Sequence, residues 1–222
     1  IIDYTDRATC VLFGDGAGAV VLGVSDDPSI GILDFEHKVD GSGGPALCMP
    51  AGGSLQPASH ATVDGRLHFV KQEGQAVFKF AVKVLADVAS EVLAAASMTA
   101  AQVDWLIPHQ ANLTRILIPA CKSAGIDPAK LCASFADTGN TSSASIPLLL
   151  DQLIAEGKAK KGQNALMIGF GASFAVGFTL GPPLGGPPVS DGRAGVGGQF
   201  EVAGQEVGVD VGLQHPDDGQ AV

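Results

Sequence analysis

"DWLIPHQANLTRIL", Asp104 to Leu117, contains the change of structure on which the fold turns. Trp105-Leu106-Ile107 is a short apolar run, Pro108 stops it, and His109 follows at once. A run of that length closed by proline reads as a buried strand over Val103–Ile107. Asn112 then opens a helical stretch to Ala124, with Gly125 beyond it as a C-terminal stop. Pro119 inside that stretch predicts a kink or an irregular turn. Strand, loop and helix in this order place His109 at the carboxyl end of a strand, where ligands collect in layered α/β folds.

Elements of the same kind extend in both directions. Residues 74–96 form the clearest helix, with Val77, Ala81, Val84, Leu85, Val88 and Val92 on one face. Strands are expected at Cys10–Phe13, Ala19–Val24, Ile32–His37, Leu131–Phe135, Asn164–Phe170 and Phe174–Leu180. Gly14, Asp15 and Gly16 suit a hairpin turn that needs positive φ. Thr141–Glu156 reads as a helix with Thr and Ser at its start. Strands alternating with helices predict a layered α/β fold with a mixed sheet of about five strands.

The bulk numbers narrow the function. The chain has 222 residues, 46% of them apolar and 16% charged, so it can bury a sizeable core. A formal net charge of -10 disfavours a nucleic-acid backbone as partner. No apolar run is long enough to span a membrane, and the N-terminus carries no signal-peptide pattern. Cys10, Cys48, Cys121 and Cys132 show no C-x-x-C spacing, which argues against a metal site and a disulfide framework and fits a reducing, cytoplasmic setting. Residues 181–222 differ from the rest: 11 Gly, 5 Pro, six acids and one Arg predict a disordered tail, with a weak strand signal near Gln199–Val211.

Three loops follow expected strands: "PHQAN", "ADTGNTSSAS" and "GFGAS". Gathered at one sheet edge, they bring His109, Asn140 and the Gly171-Ala172 backbone within reach of one another. An imidazole, a side-chain amide and a backbone N–H can each donate to an oxygen that gains negative charge, which is the equipment of acyl transfer. Taken singly, each has a plainer explanation. A lone His is a satisfied core histidine about half the time, Asn140 is a turn or cap residue, and "FGDGAGAVVL" is a hairpin that lacks the order of a dinucleotide site.

In one order along one chain, "FGDGAGAVVL", "WLIPHQAN", "GNTSSASIP" and "FGASFAVGFTL" resemble the C-terminal half of the β-ketoacyl-acyl-carrier-protein synthase III family, thiolase-fold condensing enzymes that start bacterial fatty acid synthesis. The resemblance covers residues 1–180. It implies the C-terminal half of a thiolase-like layered fold and decarboxylative Claisen condensation of an acyl-CoA with malonyl-acyl-carrier protein. CoA would enter as substrate, with no resident cofactor and no metal. The family uses a Cys-His-Asn triad: His109 matches the His and Asn140 the Asn, both as donors to the thioester oxygen. The Ala172 amide matches the oxyanion-hole position. Gly74, Gln75 and Asn112 match positions lining the pantetheine and CoA tunnel. Gln110, Ala111, Asn112, Leu113 and Arg115 match the surface that docks acyl carrier protein. The complete enzyme is expected to be a homodimer. A secondary-metabolite relative of polyketide-starter or quinolone type, or a non-catalytic carrier-docking remnant, fits the same motifs.

Two departures stand out. The family motif is commonly Asn-x-Arg-Ile, whereas this chain reads Asn112-Leu113-Thr114-Arg115-Ile116, and one extra residue rotates Arg115 by about 100° around an ideal helix. The family nucleophile, a Cys at the start of a buried helix in the N-terminal half, has no counterpart here, so the chain reads as a fragment that is inactive alone. The family ends near Leu180, which makes the tail foreign to it.

Overall fold

In chain order the elements are β1 (Asp34–Lys38), β2 (Leu47–Cys48), α1 (His60–Asp64), β3 (Lys71–Gln72), α2 (Gly74–Ala95), β4 (Trp105–Pro108), α3 (Ile118–Ser123), α4 (Phe135–Thr138), α5 (Ser145–Ala155), β5 (Ala165–Gly171), β6 (Ala175–Gly181), β7 (Leu184–Gly185), β8 (Val196–Val202) and β9 (Gln205–Val211). The structure, a computed structural model, describes residues 1–20, 31–160, 162–171, 175–181, 184–185, 196–202 and 205–211. The central sheet has four strands in the order β1-β6-β5-β4. β4 and β5 run parallel and the other pairs antiparallel, so the sheet is mixed, as expected, with four strands in place of about five.

Period-two alternation divides the core into two layers. In β4, Leu106 faces one side and Ile107 the other, and Leu166 and Ala165 divide the same way in β5. The Leu106 side packs against Ala81, Leu85, Val88 and Val92 of α2 and Cys121 of α3. The Ile107 side packs against Leu149, Leu150 and Leu153 of α5. Leu85 and Leu166 are at most 1% exposed, and each such burial stabilises by about 1.5–3 kcal/mol. The apolar face expected for residues 74–96 is thus the buried face of α2, with Val84 half-buried at its margin.

Two expected strands are absent. Between Asp6 and Leu12 the chain makes successive turns, with Cys10 N donating to Asp6 O at 3.0 Å and Leu12 N to Thr9 O at 3.1 Å. The carboxylates of Asp3 and Asp6 accept the amides of Thr5 and Ala8, which offers the backbone an alternative to a sheet ladder. At 131–135 only Leu131 bridges to Leu106. Gln110 Oε1 accepts the amides of Ser134 (2.9 Å) and Phe135 (3.1 Å), which turns the chain off the ladder and into α4. Ala19 and Val20 lie in no strand, and the rest of the strand expected at 19–24 lies outside the described residues.

The glycines of "GDGAG" also serve a different purpose from the one expected. Neither Gly14 nor Gly16 has positive φ. Both lie where another segment comes too close for a side chain: a Cβ on Gly14 would sit 2.1 Å from Thr138 O, and one on Gly16 2.9 Å from the Thr141 side chain.

The extra residue before Arg115 is absorbed locally. Leu113–Leu117 form a π-turn, in which Leu117 N reaches Asn112 O at 3.1 Å and the Ile118 amide reaches Leu113 O. A π-turn holds one residue more than an α-turn, so the surplus is taken up before α3 begins. Pro119 sits in the first turn of α3, directly after the π-turn, so the irregular turn expected around it is present. Of the tail, β7, β8 and β9 form a three-stranded antiparallel sheet, and β8 and β9 fall where the weak strand signal lay.

Candidate active site

His109 leaves the end of β4 and extends the parallel ladder by one bond, its N donating to Ile168 O at 2.6 Å. That bond fixes the Cα beside β5. The imidazole then stands edge-on to Phe170, with ring centroids 5.0 Å apart and planes at 84°. Its Nδ1 lies 3.0 Å from Ser142 O and 3.3 Å from Ser145 Oγ. Burial lowers the imidazole pKa below its ordinary value, and the Ser142 carbonyl opposes this only in part. Burial therefore favours the neutral form of the ring.

Asn140 is held by residues far from it in sequence. Its N donates to Leu12 O at 2.9 Å, and its O accepts from Gly14 N at 3.0 Å. Leu12–Gly14 thus clamps the Asn140 backbone on both sides, which is why Gly14 must approach so closely. Gly139, at φ +67°, makes the bend that ends α4 and delivers Asn140 into this clamp. The side-chain Oδ1 accepts Ser142 N at 2.9 Å, which leaves the amide Nδ2 as the group able to donate elsewhere.

His109, Asn140, Phe170 and Gly171 line one cavity of about 550 Å³. A neighbouring groove of about 740 Å³ is lined by Gly74, Gln75, Lys79, Asn112 and Arg115. Gln72, Val77, Ala111, Asn140 and Phe170 line both, so groove and cavity are adjoining parts of one cleft. The π-turn leaves Arg115 on this groove beside Asn112, and Lys79 of α2 is a second cation there that the motif reading passed over. Among the described residues no group of His, Cys, Asp and Glu is arranged to hold a metal ion. No described helix is long and apolar enough to cross a membrane. Ala172 lies outside the described residues.

Gln110 does not belong to any docking surface. It is 0% exposed. Besides the two amides it accepts, its Nε2 donates to Pro108 O at 3.0 Å. A buried amide that satisfies backbone groups on two loops is a structural clamp, and its adjacency to His109 in sequence concealed that. Leu113 is half-buried: it packs against the core and stays partly exposed at the surface. Gln110→Leu is expected to cost about 2–4 kcal/mol, because two buried N–H groups lose their acceptor, and urea denaturation of the purified variant measures it.

None of the four thiols reaches the cavity. Cys121 and Cys132 are buried, with pKa values pushed up by burial to about 11 and about 12. Cys48 Sγ contacts Pro45 O at 3.7 Å, and Cys10 lies in the turns after Asp6.

The layered mixed sheet, with a His and an Asn at the carboxyl edge of a parallel strand pair, is a thiolase-like arrangement, and comparisons with known proteins agree with it. Residues 93–180 match the model of the 3-oxoacyl-(acyl-carrier-protein) synthase III C terminal, and residues 1–41 match that of 3-oxoacyl-(acyl-carrier-protein) synthase III. The β-ketoacyl-(acyl-carrier-protein) synthase III of Koribacter versatilis is 46% identical over 181 residues, which is 81% of this chain and 54% of that protein. The crystal structure of 3-oxoacyl-(acyl-carrier-protein) synthase III from Aquifex aeolicus superposes with a TM-score of 0.69 at 36% identity, covering 81% of this chain and 53% of that one. The priming β-ketosynthase of the R1128 polyketide pathway gives 0.66 at 34%, covering 82% and 55%. The chain belongs to the 3-oxoacyl-(acyl-carrier-protein) synthase III family. It spans about half the length of the relatives it matches.

Proposed function

We propose that this chain supplies the His and Asn side of a β-ketoacyl-acyl-carrier-protein synthase III active site. The observation that carries this reading is the pairing of His109 and Asn140 at one cavity through the Ser142 peptide, which opens onto a groove carrying Lys79 and Arg115. In the reaction an acyl group passes from acyl-CoA to a Cys thiol. Malonyl-acyl-carrier protein then loses CO₂, and the resulting enolate attacks the acyl-enzyme. Asn140 Nδ2 donates to the thioester oxygen as charge develops. His109, once protonated, donates a second bond. The backbone amide at Ala172 serves the acyl-enzyme oxygen. Gly74, Gln75 and Asn112 border the pantetheine arm, and Ala111, Asn112 and Arg115 meet the acidic carrier protein at the groove mouth. The enzyme needs no resident cofactor and works in the cytoplasm, as a homodimer when complete. Residues 1–180 are its family unit, and 181–222 are an appended tail.

The test is a chimaera: the N-terminal portion of the Koribacter versatilis relative joined ahead of Ile1. It is expected to form ketoacyl product from acetyl-CoA and malonyl-carrier protein, followed by chromatography of the acylated carrier. A folded chimaera that forms none overturns the reading. The 222-residue chain alone is expected to form no ketoacyl product, because no thiol faces the cavity. Product above the no-enzyme rate removes that expectation. Polyketide priming is the alternative activity, since the R1128 priming β-ketosynthase superposes nearly as well, with a TM-score of 0.66 against 0.69.

A further inference from the structure

Two buried side-chain oxygens among the described residues accept no hydrogen bond, Gln72 Oε1 and Asp151 Oδ1. Asp151 lines neither part of the cleft, whereas Gln72 borders both the cavity and the groove. Gln72 therefore stands at the neck where the two meet. Of its neighbours there, Val77, Ala111 and Phe170 have no polar side chain, and Asn140 Oδ1 is taken by the Ser142 N–H. Gln72 Oε1 is thus the one uncommitted side-chain acceptor at the neck among the described residues.

The Gln72 backbone is fixed. It stands opposite Leu47 in the β2–β3 ladder, and the next amide, Glu73 N, donates to Ala46 O at 2.8 Å. The carboxamide is not fixed in the same way. The last torsion of a Gln side chain is broad and two-fold, so Oε1 can turn toward the cleft without breaking a bond to protein. An unpaired acceptor out of water is costly, and a donor arriving in the neck removes that cost.

We infer that Gln72 is a binding and specificity residue of the cleft: its side-chain oxygen accepts the N–H of a secondary amide on the ligand and so selects an amide-bearing arm. This rests on the reading above, in which the ligand is a pantetheine thioester. In pantetheine the nearest amide is two methylenes from the sulfur. With the thioester oxygen at Asn140, which itself borders the neck, that amide falls in the neck with Gln72.

The test is NMR titration of the nitrogen-labelled 222-residue chain with pantetheine, and with an analogue that carries an ester oxygen in place of that amide N–H. The Gln72 side-chain signal is assigned by its loss in Gln72→Leu. Pantetheine is expected to move it. The wild type is expected to bind pantetheine about three- to tenfold more tightly than the ester, the worth of one neutral hydrogen bond. Gln72→Leu is expected to abolish that preference by weakening pantetheine alone, and Gln72→Glu, which can accept but not donate, is expected to keep it. A merely structural role would weaken both ligands equally in Gln72→Leu. An unmoved Gln72 signal overturns the inference, and so does a folded Gln72→Leu that still prefers the amide. Should Gln72→Leu not fold, the wild-type preference decides, and equal binding of the two ligands overturns the inference. A condensing chimaera with no such preference sinks this inference alone, whereas a silent chimaera sinks the acyl-transfer reading and leaves the amide contact standing.

Discussion

Asn140→Ala in the Koribacter chimaera is expected to lower kcat for condensation by about 100- to 1000-fold, the cost of removing one preorganised donor from a developing oxyanion. Asn140 is a rigid donor. Its backbone is bonded on both sides by Leu12 and Gly14, and its Oδ1 is occupied by Ser142 N–H, so Nδ2 needs no reorganisation when charge appears. The loss should fall on kcat more than on KM for the thioester, because the amide matters most where the oxygen is most negative. Asn140→Asp keeps the shape and places a carboxylate opposite that oxygen, so it should be at least as slow. Steady-state kinetics with malonyl-carrier protein varied measures both. A loss under about fivefold would remove Asn140 from the chemistry.

Gly14→Ala is expected to destabilise the chain by about 3 kcal/mol, the upper end of what overpacking costs, and to disturb the site as well. The added methyl would lie 2.1 Å from Thr138 O and 3.2 Å from its carbonyl carbon, both backbone atoms with no rotamer to escape into. Relief requires Leu12–Gly14 and Thr138–Asn140 to separate, and the two bonds clamping Asn140 lie between those segments. Denaturation midpoints should fall, and in the chimaera kcat should fall with them. A midpoint within 1 °C of wild type would show that the segments do not pack this way.

Much of this was legible in the linear chain because periodicity reports burial. The apolar spacing in residues 74–96 became the buried face of α2, and the Trp105–Ile107 run closed by Pro108 became β4 with His109 at its end. The misreadings share one cause. Gln110 looked like a surface neighbour of His109, yet its amide faces inward to bond Ser134 and Phe135, residues 24 and 25 positions away. Local propensity for a strand at 131–135 was overridden by that same amide. The glycines at 14 and 16 looked like turn residues because nothing in "GDGAG" shows that the segment containing Thr138 and Thr141 will lie against them.

The sequence by itself determined the layered α/β class, the place of His109 at a strand end and the family resemblance, since these depend on local pattern and on motifs in order. Only the tertiary structure decided that Leu12–Gly14 clamps Asn140, that a π-turn leaves Arg115 on the groove, and that the Ser142 carbonyl lies against the imidazole. The clamp on Asn140 depends on backbone hydrogen bonds between segments distant in the chain. Any residue can supply such bonds, so they leave no mark in the residue types.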